Sequence, residues 1–153
     1  MTVYAFVRDP ELYPLAQYLD FADLALVRKK GNLKTLTKGL TDADPVIRYW
    51  SVVGLLLLEK HAQPAMSELK KALLDSDEIP SLAAWAIFKA GEEDFAKQWM
   101  LREITENPGN KMLANVLDWM DKDSFPILSK IPQDKLLQRG LLKDVVTRYR
   151  ARI

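Results

Sequence analysis

The chain reads as an all-α protein built from stacked helical hairpins, and three observations carry that reading. Residues 40–58, LTDADPVIRYWSVVGLLLL, join a helix stop, a helix start and an almost wholly apolar helix. The opening of this pattern returns one hairpin later: Leu73, Leu74, Asp75, Ser76, Asp77, Glu78 and Ile79 follow residues 40–46, with Asp42 and Asp75 33 positions apart. A period of this size marks stacked helical repeats, whose single hairpins cannot bury their apolar faces alone. Finally, no stretch shows the alternation of a half-buried strand, so helices have no competitor.

Each element follows from local chemistry. The first thirteen residues read as extended or irregular, with Asp9-Pro10 favouring a turn, and the first helix begins near Pro14. Leu15, Leu19, Ala22 and Leu26 fall on one face of it, and Gly31-Asn32 separates it from a short helix carrying Leu33, Leu36 and Leu40. Asp44 is placed to cap free backbone N–H groups, and Pro45 stands where its missing N–H costs nothing, so a helix starts at Pro45. From Val46 to Leu58 only Arg48 is charged, and an apolar surface on all sides requires neighbours on several sides. The uncharged run of residues 49–58 is about half the ~20 residues that a bilayer requires, so burial between helices is the expectation.

Gln63-Pro64 opens the next hairpin, whose outer helix turns Met66, Leu69 and Leu73 inward and ends at residues 75–77. Its partner spans about Ile79 to Ala90, with Ile79, Leu82, Ala83, Ala86, Ile87 and Ala90 as the inner stripe and Gly91 as the stop. In the third hairpin, Glu92, Glu93 and Asp94 favour the positive end of a helix dipole. The chain then turns at residues 107–110 and buries Leu113, Val116, Leu117 and Met120. A shorter helix around Ile127 to Ile131 is broken by Pro132, and a last helix carries Leu137, Leu141 and Val145, its basic end suited to a solvent-facing cap. The expected architecture is one domain, a HEAT-like α-solenoid of about eight antiparallel helices. It comprises an N-terminal segment and capping helix (1–31), hairpins at 32–61, 63–91 and 92–121, and a C-terminal cap (122–153).

Composition narrows the chemistry. A content of 48% hydrophobic and 28% charged residues is that of an ordinary folded domain. The net charge of +1 removes the broad positive field of a protein that holds nucleic acid through its phosphates. Arg148, Arg150 and Arg152 form the candidate local patch and read as a solvated terminus. With no cysteine there is no disulfide, zinc thiolate or cysteine nucleophile. Residues 1–13 include Arg8, Asp9, Pro10 and Glu11 and lack the sustained apolar core of a secretory signal.

Catalytic patterns are missing. His61, the single histidine, follows Lys60 at the end of the apolar helix, where it can meet free carbonyls. It has no second histidine for a familiar zinc site and no relay with a nucleophile; Ser51, Ser81 and Ser124 lie in no recognised signature. Asp42, Asp44, Asp75, Asp77, Asp121 and Asp123 punctuate inter-helix turns and read as caps, too few at any turn to enclose a metal ion. The six glycines form no phosphate loop. The sequence therefore offers no catalytic, cofactor-binding or metal-binding residue. What remains is a candidate contact surface: Trp50, Trp85 and Trp119 recur at spacings of 35 and 34, each on the second helix of a hairpin. They can form an aromatic recognition strip or fill repeat interfaces with their N–H groups at the edge.

Three segments resemble a known family. They are Tyr4 with Arg8-Asp9-Pro10-Glu11-Leu12-Tyr13-Pro14-Leu15 and Ala22-Asp23-Leu24-Ala25; Asp44-Pro45-Val46-Ile47-Arg48-Tyr49-Trp50; and Gly54-Leu55-Leu56-Leu57-Leu58. The wording is similar to the C-terminal HEAT-like extension of bacterial sulfatases of the alkaline-phosphatase-like superfamily, over most of residues 1–131. The Asp-Pro-x-x-Arg-Tyr-Trp run followed by Gly-Leu is its most specific part, since Asp-Pro-x-x-Arg alone is common among HEAT-like repeats. The resemblance implies a parent that hydrolyses sulfate esters, on glycans, with a formylglycine made from a Cys/Ser-x-Pro-x-Arg signature and a divalent ion, usually calcium. That signature is absent here, and Gln63-Pro64 and Ile79-Pro80-Ser81 lack the nucleophile and arginine in register. The expectation is a non-catalytic module whose first partner is the catalytic domain of the same polypeptide, periplasmic or secreted as the parent would be. It binds no nucleic acid or membrane. The alternatives are an independent protein-interaction scaffold, with other proteins as partners, and a HEAT-like DNA glycosylase, which the near-neutral charge disfavours.

Overall fold

The structure, a computed structural model, describes residues 13–76, 78–132 and 140–151, the last stretch by backbone alone at 140–143 and 150. The described residues contain helices and no strand. Eight helices have seven residues or more: α1 (Leu15–Leu26), α2 (Leu33–Gly39), α3 (Pro45–Leu58), α4 (Met66–Ala72), α5 (Ile79–Ala90), α6 (Glu93–Glu106), α7 (Lys111–Trp119) and α9 (Gly140–Arg150); α8 (Phe125–Leu128) is a single turn. Short 3-10 turns at Lys30–Asn32, Glu59–Ala65 and Asp121–Ser124 link them. Residues 1–12, Asp77, Leu137 and Arg152, together with the side chains of Leu141 and Arg150, lie outside the described residues.

The helix ends follow the local chemistry. Asp44 Oδ1 accepts the Val46 N–H at 2.8 Å ahead of Pro45, and Asn110 accepts the Leu113 N–H at 2.9 Å at the start of α7. Gly91 closes α5 at φ +114°, a conformation that suits glycine. Three non-glycine residues also take positive φ, Arg28 (53°), Glu59 (50°) and Asp121 (50°), each at a break between elements. Each such turn costs about 1 kcal/mol and is held by the packing on either side.

Packing explains why α3 is apolar all round. It lies against α1, α2 and α5, and Ile47, Val52, Leu55 and Leu58 are buried. Next, α5 packs on α4, α6 and α7, and α7 meets α9. One continuous core runs from Ala25 through Leu55, Leu69, Ile87, Met100 and Leu117 to Val146. Full burial of each such Leu or Ile contributes about 2 kcal/mol. Small residues bring the helices close: a Cβ on Gly54 would sit 2.6 Å from Leu36 Cδ2 and 3.1 Å from Ala25 Cβ, where α1, α2 and α3 meet.

Three sequence expectations are corrected. On α1, Leu15, Leu19 and Leu26 are 46%, 57% and 50% exposed, while Ala22 and Ala25 are buried. Among the described residues α1 packs on α3 through the side of Tyr18, Ala22 and Ala25, so the leucine stripe lies beside that contact. The helix expected at Ile127 to Ile131 starts earlier, as the 3-10 turn leads straight into α8 with Pro126 in its first turn; Ile131 is buried beyond it. Arg148 is no free terminal cation: its Nη2 lies 2.9 Å from Asp118 Oδ2 and ties α9 to α7.

Candidate functional site

The tryptophans divide. Trp85 on α5 and Trp119 at the end of α7 are 34 residues apart in the chain, and their rings lie 6.3 Å between centroids with planes inclined by 30°. Trp50 on α3 does not extend this pair; its ring contact is edge-on with neighbouring Tyr49, at 5.5 Å. Trp119 is 55% exposed, whereas Trp50 and Trp85 pack part-buried against the core. Trp119 is thus a surface ring leaning on the part-buried Trp85. Trp85 Nε1 and, one helical turn before it, Ser81 Oγ are buried without a hydrogen-bond partner among the described residues.

The Asp-Pro-x-x-Arg word has a structural task. Arg48 Nε donates to Asp75 Oδ2 at 2.8 Å and Nη2 to Asp75 Oδ1 at 3.4 Å, while Nη1 donates to the carbonyls of Asp42 and Ala43 at 3.0 and 3.1 Å. One guanidinium thus fastens two inter-helix turns whose aspartates stand 33 positions apart. A planar fork with several donors suits this joint better than a lysine would. The same turn is fixed from the other side, as Tyr18 Oη on α1 donates to Asp44 Oδ2 at 2.7 Å. That bond to a carboxylate, with desolvation and the Asp44 charge, raises the Tyr18 pKa above its ordinary value of 10.0.

Chemistry-bearing side chains do not converge. His61 is exposed on the 3-10 turn and makes no hydrogen bond among the described residues, so the expected contact with free carbonyls is not formed. Ser51 donates to the carbonyl of Ile47 at 2.7 Å and Ser124 to that of Asp121 at 2.6 Å. Among the described residues no group of three or more His, Asp or Glu is arranged to hold a metal ion, and no helix is long and apolar enough to cross a membrane. Asp42, Asp44 and Asp75 accept the backbone N–H groups of Asp44, Val46 and Ser76, as capping carboxylates do.

Sequence reasoning missed one assembly. Leu33, Lys34, Lys38, Pro64, Glu68 and Lys71 line an open groove of about 540 Å³ between α2 and α4. The signal was available: residues 24–41 include five cations and no carboxylate, a local bias that the chain's net charge of +1 averages away.

Comparison with protein-family models, curated proteins and solved structures finds no match to this chain.

Proposed function

We propose that the chain is a non-catalytic helical-repeat module that works by contact, a HEAT-like solenoid set at the C-terminal end of a bacterial sulfatase. The observation that carries this reading is Asp44-Pro45-Val46-Ile47-Arg48-Tyr49-Trp50, both for its wording and for what Arg48 does. Joining the Asp42 and Asp75 turns, it couples one hairpin to the next, as a stack of near-identical units requires. The order of packing supports the same architecture: α3, α5 and α7 follow one another, with α2 and α4 against α3 and α5, and α6 against α5. In this role the domain packs on the catalytic domain or shapes access to it, and the half-exposed Trp119 is a contact residue. The formylglycine and its divalent ion belong to the parent's catalytic domain.

The test is to read the gene upstream of Met1 and to assay the protein. An open frame encoding Cys/Ser-x-Pro-x-Arg supports the reading, as does hydrolysis of an aryl sulfate by the joined protein and not by this chain. A ribosome-binding site and stop codon immediately before Met1 would remove it. The exposed Leu15, Leu19, Leu26 and Trp119 also favour a second reading, an independent protein-interaction scaffold. Recovery of a partner other than a sulfatase domain, lost in Trp119→Ala, selects that reading.

A further inference from the structure

We propose that the groove between α2 and α4 is a docking site for an acidic, amphipathic peptide segment of a partner protein. Its charge is the first reason. Lys34 and Lys38, which line it, and Arg28, Lys29 and Lys30, which precede α2 in the chain, are all exposed and form no ion pair among the described residues. Several cations elsewhere are matched, Lys70 with Glu92 at 2.6 Å, Lys97 with Glu93 at 3.1 Å and Arg148 with Asp118 at 2.9 Å, whereas residues 24–41 bring five cations together with no carboxylate among them. Lys34 and Lys38 stand one helical turn apart on α2, a like-charged pair that weakens its own helix until an anion lies across it.

The groove's shape and lining select the class of anion. Its volume of about 540 Å³ is that of a ligand pocket. Its lining combines the aliphatic Leu33 and Pro64 with Thr37 and Thr41 and the cations Lys34, Lys38 and Lys71; Glu68, 3.9 Å from Lys71, is the one carboxylate among the lining residues. The aliphatic part of that lining takes apolar side chains. A sugar ring would instead seek an aromatic face, and none of the lining residues is aromatic. The two lysines of α2 are separated by about 6 Å along the helix axis, the spacing of carboxylates at i and i+4 of a helical ligand. The partner segment therefore carries Glu or Asp at that spacing around one or two leucine-like side chains. This site is independent of the sulfatase assignment.

The experiment is fluorescence anisotropy of the full chain with a fluorescein-labelled peptide of repeated Glu-Leu-Leu-Glu blocks. Saturable binding that weakens with salt is expected, with an affinity loss of about tenfold in Lys34→Glu/Lys38→Glu and no change in Lys111→Glu. Carbodiimide cross-linking to the unmodified chain should attach the peptide at Lys34, Lys38 or Lys71, which tests the site even if the double variant misfolds. The proposal is overturned by absence of binding, by equal binding of a Gln-for-Glu peptide, or by cross-links elsewhere. Tighter binding of a heparin oligosaccharide or of phosphatidylserine vesicles, abolished by the same substitutions, would also overturn it.

Discussion

Arg48 and Asp75 offer the sharpest test of how the hairpins are joined. Their side chains are 17% and 19% exposed, and the Nε–Oδ2 distance is 2.8 Å. Such a pair lies between an exposed bridge, worth about 0–1 kcal/mol, and a buried one, whose breaking costs about 3–5 kcal/mol. Arg48→Ala also gives up the two carbonyl contacts at 3.0 and 3.1 Å, so a loss of about 2–3 kcal/mol is expected. For a chain of 153 residues this lowers Tm by roughly 5–10 °C. Asp75→Ala should cost about 1 kcal/mol less, because Arg48 keeps its carbonyl partners. In a double-mutant cycle by urea denaturation, the coupling energy should be about 1–2 kcal/mol. Arg48→Lys should recover less than half of the loss, since an ammonium cannot span both turns. A coupling energy below about 0.3 kcal/mol, within the range of independent sites, would refute the reasoning.

Tyr18 carries a pH prediction. Its pKa is raised, so the folded state holds the phenolic proton more tightly than the unfolded chain. The resulting stability is present below about pH 10 and is lost as pH rises through the elevated folded-state value. Ultraviolet titration of tyrosinate should show a late-titrating phenol that disappears in Tyr18→Phe and shifts down in Asp44→Ala. Ser81→Ala removes from the first turn of α5 a fully buried hydroxyl that has no partner among the described residues, and should stabilise the chain by about 1 kcal/mol; a lower urea midpoint would count against it. Gly54→Ala gains about 1 kcal/mol of helix propensity but presses a Cβ onto Leu36 and Ala25, at an overpacking cost of about 1–3 kcal/mol. The net expectation is a lower Tm, and a rise would show that Leu36 can give way.

Much of the fold was legible because helix ends are written in adjacent residues. Asp44-Pro45, Gly91 and Asn110 act over one turn of chain, and each appears where its neighbours required it. Residues 46–58 likewise announced a helix covered on several sides, since no single-faced helix is so apolar. The candidate surface was only partly legible. The spacing of 34 put Trp85 and Trp119 in equivalent positions, and they do meet, but the similar spacing back to Trp50 said nothing of its pairing with Tyr49. The lysine groove was hidden for a different reason: net charge is a sum over the chain, whereas a groove depends on which charges share a place.

The sequence by itself determined the helical class and most helix boundaries, because capping and amphipathic spacing act within a few residues. Tertiary structure decided which faces are covered. Leu15, Leu19 and Leu26 carry the spacing of a buried stripe, yet α1 meets its neighbour through Ala22 and Ala25 and leaves the leucines exposed. Likewise Arg48 finds Asp75 27 residues away and Arg148 finds Asp118 on an earlier helix. Burial and ion pairing depend on what lies across the gap, and periodicity along one helix carries no information about its neighbours.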